Sequence, residues 1–236
     1  MSGRVGSITT DIIADGLVFN MDAANRASTI PNTNTTQSFN TLNPTVNSGS
    51  FYNDVSLISP PTSASSWSFD GVDGYIEIDA PLPASTLEYT KGATACVWFK
   101  QVENGTLVNI ISRSGRGSDN GFWYAGAQSN KLKWNVGSWL TGATTYSDGV
   151  WNYVCYVLDP INSIAQIYLN GKLDATETSV ATVFSLQADL GTIGGLGPGG
   201  TSRNFYGWIA NVTMYDRTLS ANEVLHNYNA LKGRFS

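Results

Sequence analysis

Short β-prone runs separated by Asp-Gly and Asn-Gly pairs recur along this chain in a fixed order, and no other feature limits its fold as tightly. Four blocks set the order. They are Trp67-Ser68-Phe69-Asp70-Gly71-Val72-Asp73-Gly74-Tyr75-Ile76-Glu77-Ile78, Asp148-Gly149-Val150-Trp151-Asn152-Tyr153-Val154, Ile167-Tyr168-Leu169-Asn170-Gly171-Lys172, and Phe205-Tyr206-Gly207-Trp208-Ile209-Ala210-Asn211-Val212-Thr213-Met214-Tyr215-Asp216. Strands and turns alternating in short units are the signature of a sandwich. Asn170-Gly171 tolerates the positive φ angles of a two-residue type I′ turn, so Ile164 to Leu169 and Lys172 to Ala175 read as the arms of a hairpin.

In this order the blocks resemble laminin-G-like domains of the concanavalin A-type lectin/glucanase superfamily. The family pattern runs F-D-G-x-D-x-Y, D-G-x-W-x-x-V, Y-x-N-G and G-x-I-x-x-V-x-x-Y-x-R-x-L-S-x-x-E. The last element continues here through Arg217, Leu219, Ser220 and Glu223. The resemblance implies an all-β fold, a two-sheet antiparallel jelly-roll sandwich, as one domain over residues 1–236. It says far less about function, because the fold hosts lectins, adhesion modules, glucanases and viral structural proteins alike.

At 236 residues the chain fits one such domain, since all-β sandwiches run to roughly 200–250 residues. Only 13% of residues are charged, against about a quarter in an ordinary soluble domain. The polar surface must therefore come from Asn, Ser, Thr and Gly, which favour turns over surface helices. A formal charge of −5 argues against a nucleic-acid or anionic-membrane partner, which needs clustered Lys and Arg. Arg113-Ser114-Gly115-Arg116 reads as a solvated loop. Met1 to Thr10 is polar and lacks the apolar run of a signal peptide, and no run is long enough to span a bilayer.

Ile12 to Met21 reads as an opening strand. Residues 29–66 are rich in Asn, Thr, Ser and Pro and are the least family-like part of the chain, expected to be irregular. Ala93 to Phe99 and Trp151 to Leu158 are strongly β-prone. Each carries a cysteine, Cys96 and Cys155; buried, reduced thiols are the favoured reading, with a disulfide open only if the two strands are neighbours. One helix is legible over 221–231. Ser220 and Glu223 form a capping box, with Leu219 and Val224 as hydrophobic staple. Val224, Leu225, Tyr228 and Leu231 supply an apolar stripe, and Gly233 is placed to end it.

Chemistry has few footholds. A glucanase of this superfamily would carry E-x-D-x-E on a strand, all three carboxylates on one face; Glu77-Ile78-Asp79 begins the pattern and Pro81 breaks it. His226 is the single histidine, so neither a histidine metal site nor a Ser-His-Asp triad is expected. The glycine run Gly194 to Gly200 lacks the Gly-Lys-Ser/Thr ending of a P-loop and reads as a loop. No cofactor is expected. Calcium enters only through a similarity of the C-terminal half to pentraxins, which would carry over Asp119 and Asn120 as metal ligands; the matching loop, Gly195 to Asn204, holds no acid, and a turn role is favoured. The family's Asp-Gly turn accounts for Asp70 and Asp73.

Sugar binding is the remaining small-ligand reading. Trp123, Tyr124, Trp134 and Trp139, with Asn135 as amide, are the expected carbohydrate-binding residues, set against a core role for Trp134. Gly16 to Asn25 and Asn227 to Phe235 resemble flanking segments of laminin-G-like domains in tailed-phage structural proteins. That resemblance implies a non-enzymatic virion protein, a capsid decoration or tail appendage, with other virion proteins, further copies of itself and host-surface glycans as partners. A free carbohydrate-binding or adhesion module is the alternative.

Overall fold

The computed structural model describes residues 12–25, 28, 37–38, 42, 49–58, 65–78, 92–113, 123–180, 191–197 and 202–235. In chain order the strands of the first half are β1 (Leu17–Asp22), β2 (Gln37–Ser38), β3 (Gly49–Tyr52), β4 (Ser56–Ile58), β5 (Ser66–Asp70), β6 (Tyr75–Ile78), β7 (Ala93–Gln101) and β8 (Val108–Arg113). Those of the second half are β9 (Trp123–Gln128), β10 (Lys131–Asn135), β11 (Trp139–Thr141), β12 (Asn152–Asp159), β13 (Ile164–Leu169), β14 (Lys172–Thr178), β15 (Gly191–Ile193) and β16 (Tyr206–Tyr215). One helix, α1 (Ala221–Leu231), follows and runs into a 3-10 turn at Lys232–Arg234.

The first sheet has the order β14-β13-β12-β7-β16-β5-β4 and the second β11-β10-β9-β8-β15-β6-β3-β2, every described pairing being antiparallel. β16 serves two neighbours along one edge, pairing through Tyr206–Ile209 with β5 and through 211–215 with β1. Between the sheets lies the main core. Val97, Phe99, Ile209 and Val212 enter it from the first sheet, and Ile76, Ile111, Leu132 and Trp134 from the second. This is the expected jelly-roll sandwich.

A second apolar layer coats the outside of the first sheet. β7 is buried along nearly its whole length because its even positions, Cys96 and Trp98, are covered by α1 and the turn after it. Leu219 and Val224 are buried there as a staple, and both halves of the Ser220–Glu223 capping box form. Phe235 stacks on Trp98 at 4.3 Å between ring centroids and Tyr228 at 5.6 Å. Asn227 accepts from Ile13 N–H at 2.8 Å and donates to the Tyr215 hydroxyl at 3.0 Å. Burial pushes the Tyr215 hydroxyl up to about 12. The Arg234 guanidinium grips Asp22 through two bonds of 2.6 and 2.8 Å.

Several sequence expectations change. The thiols are not reduced: β12 lies beside β7 with Cys155 directly opposite Cys96, and the pair is a disulfide. The opening strand is shorter, for Leu17 enters β1 only after a turn at Asp15-Gly16, where Gly16 takes φ +72°. The segment 29–66 is not wholly irregular; β3 and β4 lie in it, their hydrogen bonds supplied by β6 and β5 across a turn that Asn53 makes at φ +54°. Gly233 does not end the helix in a left-handed cap, because the chain continues into the turn that carries Arg234 to Asp22. Leu225 is 41% exposed, and Asn227 takes its expected place in the buried stripe. The Asn170-Gly171 hairpin forms as expected, with φ of +50° and +78°.

Candidate functional site

Strand alternation sends successive side chains to opposite faces of a sheet. In the second sheet Leu132, Trp134 and Leu140 go into the core. Their neighbours go outward, and cross-strand register aligns those as one row. Trp139 pairs with Asn135, Asn135 with Tyr124, Tyr124 with Ser112, Ser112 with Thr192, and Thr192 with Glu77. The row is open at its Trp139 end. Trp139 is 40% exposed and Asn135 half-buried, whereas Tyr124, Ser112, Thr192 and Glu77 are buried.

At the open end, Trp139 meets the Tyr124 ring edge-on at 6.2 Å. Asn135 Oδ1 accepts from Gly137 N–H at 3.0 Å, which fixes the tight turn to β11. The Arg203 guanidinium lies on the Tyr124 ring, 4.6 Å from its centroid. Its backbone sits in the left-handed region at φ +66°, and its carbonyl accepts from Asn109 N–H at 2.8 Å. At the far end of the β9–β10 hairpin, Glu103 accepts from Asn130 N–H at 2.9 Å and from Gln101 Nε2 at 3.1 Å. The Tyr146 hydroxyl donates to Gln101 Oε1, and burial raises its pKa. This polar knot pins the turn between β9 and β10.

The expected sugar-binding residues thus separate. Tyr124, Asn135 and Trp139 share the outer row. Trp134 is fully buried and edge-on to Tyr156 at 5.6 Å, a core residue with no ring face for a ligand. Alternation alone forbids it the face of Asn135. Trp123 opens β9 opposite Arg113; its side chain lies outside the described residues. So do Asp119, Asn120, Asp79 and Pro81. Glu77 has Ser50 and Thr192 as its cross-strand neighbours, with no second carboxylate at either position.

One acidic group was only half legible. Asp54 joins Asp70 and Asp73, with an oxygen of each within 4.8 Å of the others, a spacing that could hold a metal ion. The Asp-Gly turn still occupies Asp70, whose Oδ1 accepts from Val72 N–H at 2.9 Å. Arg203 was missed as a site residue because nothing local marks a loop arginine as the neighbour of a strand tyrosine 79 positions away in sequence, counting from 124 to 203.

The model of the concanavalin A-like lectin/glucanase superfamily matches residues 70–225, and the chain belongs to that family. No curated protein matches it. Among solved structures it is similar to domain 4 of AbnA, a GH43 extracellular arabinanase from Geobacillus stearothermophilus, in complex with arabinotriose; the TM-score is 0.63 at 13% identity, covering 90% of this chain and 98% of that one. The binding domain of botulinum neurotoxin DC, in complex with rat synaptotagmin II, gives a TM-score of 0.67 at 17% identity, covering 93% of this chain and 52% of that one. For the binding domain of Paraclostridial Mosquitocidal Protein 1 the TM-score is 0.65 at 11% identity, covering 91% and 52%. This chain therefore spans about half the length of the toxin binding domains. At these identities the likeness is one of fold.

Proposed function

We propose that the chain is a non-catalytic glycan-binding module whose site is the open end of the second sheet's outer row. One observation carries this reading: Trp139 is 40% exposed and in register with Asn135 and Tyr124. An exposed indole beside an amide donor suits a sugar, which has apolar ring faces and polar edges. Membership of a superfamily of lectins and glucanases supports it, as does the arabinotriose bound by the arabinanase domain. A glycan array followed by calorimetry on the best ligand tests it. Wild type should bind, and Trp139→Ala should weaken binding while leaving the fold intact; a fully binding variant would move the site elsewhere.

The same geometry argues against hydrolysis, because a glycosidase needs two carboxyl groups about 5–9.5 Å apart and Glu77 has hydroxyl neighbours in its row. Release of reducing ends that disappears in Glu77→Gln would overturn this.

As to where the module works, a phage particle is the second reading. Its support is the resemblance of Gly16 to Asn25 and Asn227 to Phe235 to phage structural proteins, two segments that pack together here through Asp22 and Arg234. Other virion proteins and further copies of the chain would be its partners. Mass spectrometry of purified particles decides: absence of the chain leaves the free module.

A further inference from the structure

Three Asn-Gly pairs occur in the chain, at 104–105, 120–121 and 170–171. Such a pair can cyclise when the backbone nitrogen of the glycine attacks the side-chain amide carbon of the asparagine, an approach that no Cβ hinders. The second pair lies outside the described residues. The other two are held in opposite ways. Asn170 is half-buried, its Oδ1 accepting from Tyr153 N–H at 2.8 Å and its Nδ2 donating to Asn152 Oδ1 at 3.1 Å. Both ends of that amide are tied to β12, so it cannot swing onto the Gly171 nitrogen without giving up two bonds.

Asn104, Gly105 and Thr106 are exposed in the connection from β7 to β8, and there each group that cyclisation needs is supplied locally. The nucleophile is Gly105 N, whose N–H donates to Glu103 Oε1 at 2.6 Å. That carboxylate is placed to take the proton. The electrophile is Asn104 Cγ, whose Oδ1 accepts from Thr106 N–H at 3.0 Å and from the Thr106 hydroxyl at 2.6 Å. Two donors thus meet the oxygen on which negative charge develops, the arrangement of an oxyanion hole. Glu103 does not drift with the loop. Its Oε2 accepts from Asn130 N–H and Gln101 Nε2, its Oε1 also accepts from Asn104 N–H at 3.1 Å, and its own N–H donates to Asp148 Oδ1 at 2.7 Å. A base fixed by the body of the fold acts at high effective concentration.

We propose that Asn104 is a self-modifying site, converted by its own neighbours through a succinimide to aspartate and isoaspartate. Gly105 N bonds to Asn104 Cγ as the N–H proton passes to Glu103. The Cγ–Nδ2 bond then breaks, and the amide nitrogen leaves with that proton as ammonia. Water opens the ring at either carbonyl; opening at the backbone carbonyl reroutes the chain through the side chain. The product places a new negative charge beside Glu103 and Asp148, in the polar knot at the β9–β10 turn, and so loosens that turn as the protein ages. This site is independent of the glycan reading, because Tyr124 and Asn135 pair at the opposite end of the same hairpin.

The intact chain, folded and unfolded in urea, is incubated in neutral buffer made with oxygen-labelled water, and each Asn-Gly pair is followed by peptide mapping with mass spectrometry. In the folded chain Asn104 should take up label at least about tenfold faster than Asn170, and unfolding should remove most of that difference. Glu103→Gln, which keeps an acceptor oxygen but no base, should slow conversion at Asn104 several-fold. Thr106→Val should slow it as well, and Thr106→Ser should restore it. Thr106 is exposed, so these variants report even if Glu103→Gln disturbs the knot. Folded Asn104 converting no faster than folded Asn170 overturns the proposal. So does undiminished conversion in both Glu103→Gln and Thr106→Val, which would show that the neighbours do not assist.

Discussion

Trp98 and Trp139 stand on the outer faces of opposite sheets, and one is 2% exposed while the other is 40% exposed. Around Trp98 the face is apolar, with Cys96, Tyr153, Cys155 and Tyr168 in the neighbouring positions, and the chain folds its own C-terminal helix over them. Around Trp139 the outward residues are Asn135, Lys133 and Thr141, which give a helix nothing to bury. Both faces carry tryptophan, so aromatic content does not separate a structural surface from a binding one. The neighbours do. An indole among apolar residues is covered by the chain, whereas one among amides and cations stays exposed.

Truncating the covered indole should do the most damage. Trp98→Ala removes the ring on which Phe235 and Tyr228 stack, and large aromatic deletions of this kind cost about 3–5 kcal/mol. The indole N–H has no hydrogen-bond partner among the described residues, which places the expected loss near the lower end. Urea denaturation would show it as a fall in midpoint, with α1 becoming protease-sensitive first. A loss below about 1 kcal/mol, an ordinary surface value, would mean that the helix lid contributes little and that the two faces differ less than their burial.

The disulfide belongs to the same face. Cys96 and Cys155 close a loop of 59 residues, and replacing both by alanine should cost about 2–4 kcal/mol through the freer unfolded chain. Glycan affinity should not change, because the cysteines lie on the far side of the sandwich from Trp139. Coupled losses of stability and binding would show that the faces communicate.

Acid should loosen the lid by a smaller amount. Arg217 holds the Glu223 carboxyl down at about 2, with the Ser220 backbone and hydroxyl assisting. A carboxylate whose pKa is lower folded than unfolded stabilises the fold fully above the unfolded value near 4.5, and that contribution fades as pH falls through the window down to about 2. Glu223→Gln should flatten stability across that window and leave neutral-pH glycan binding alone. Ser220→Ala, which removes the other half of the cap, should cost about 1 kcal/mol at neutral pH. A Glu223→Gln variant as acid-sensitive as wild type would place the acid response elsewhere.

What could be read in advance follows range of interaction. The capping box spans Ser220 to Glu223 and the hairpin turn needs only Asn170-Gly171, so both are written in adjacent residues and both form. The disulfide depends on β12 lying beside β7 in one register, which no local pattern states. Phe51 and Leu57 sit in a polar stretch whose strands exist because β6 and β5 pair with them. In the site, Tyr124, Asn135 and Trp139 were visible as residue types. Their separation from Trp134 was available from alternation in Lys131-Leu132-Lys133-Trp134-Asn135, where outward lysines and amide flank an inward indole. Arg203 and Asn109 come together through a backbone hydrogen bond between residues far apart in sequence, and that contact depends on the tertiary fold.

The smallest expected effect on stability is the most informative about function. Trp139→Ala removes a side chain with 40% exposure at the end of β11, and its described aromatic contact is the Tyr124 edge at 6.2 Å. Surface substitutions of this sort stay within about 0.5 kcal/mol, so the melting curve should barely move. Glycan affinity should fall at least about tenfold, equivalent to roughly 1.4 kcal/mol, because the stacking surface is gone while the fold is not. The ratio of the two effects is then inverted relative to Trp98→Ala, which should cost stability first. Should Trp139→Ala instead destabilise the sandwich strongly, its indole would be bracing the β10–β11 turn against Tyr124. The open end of the row would then be a second structural face, and the glycan site would have to be sought among the loops.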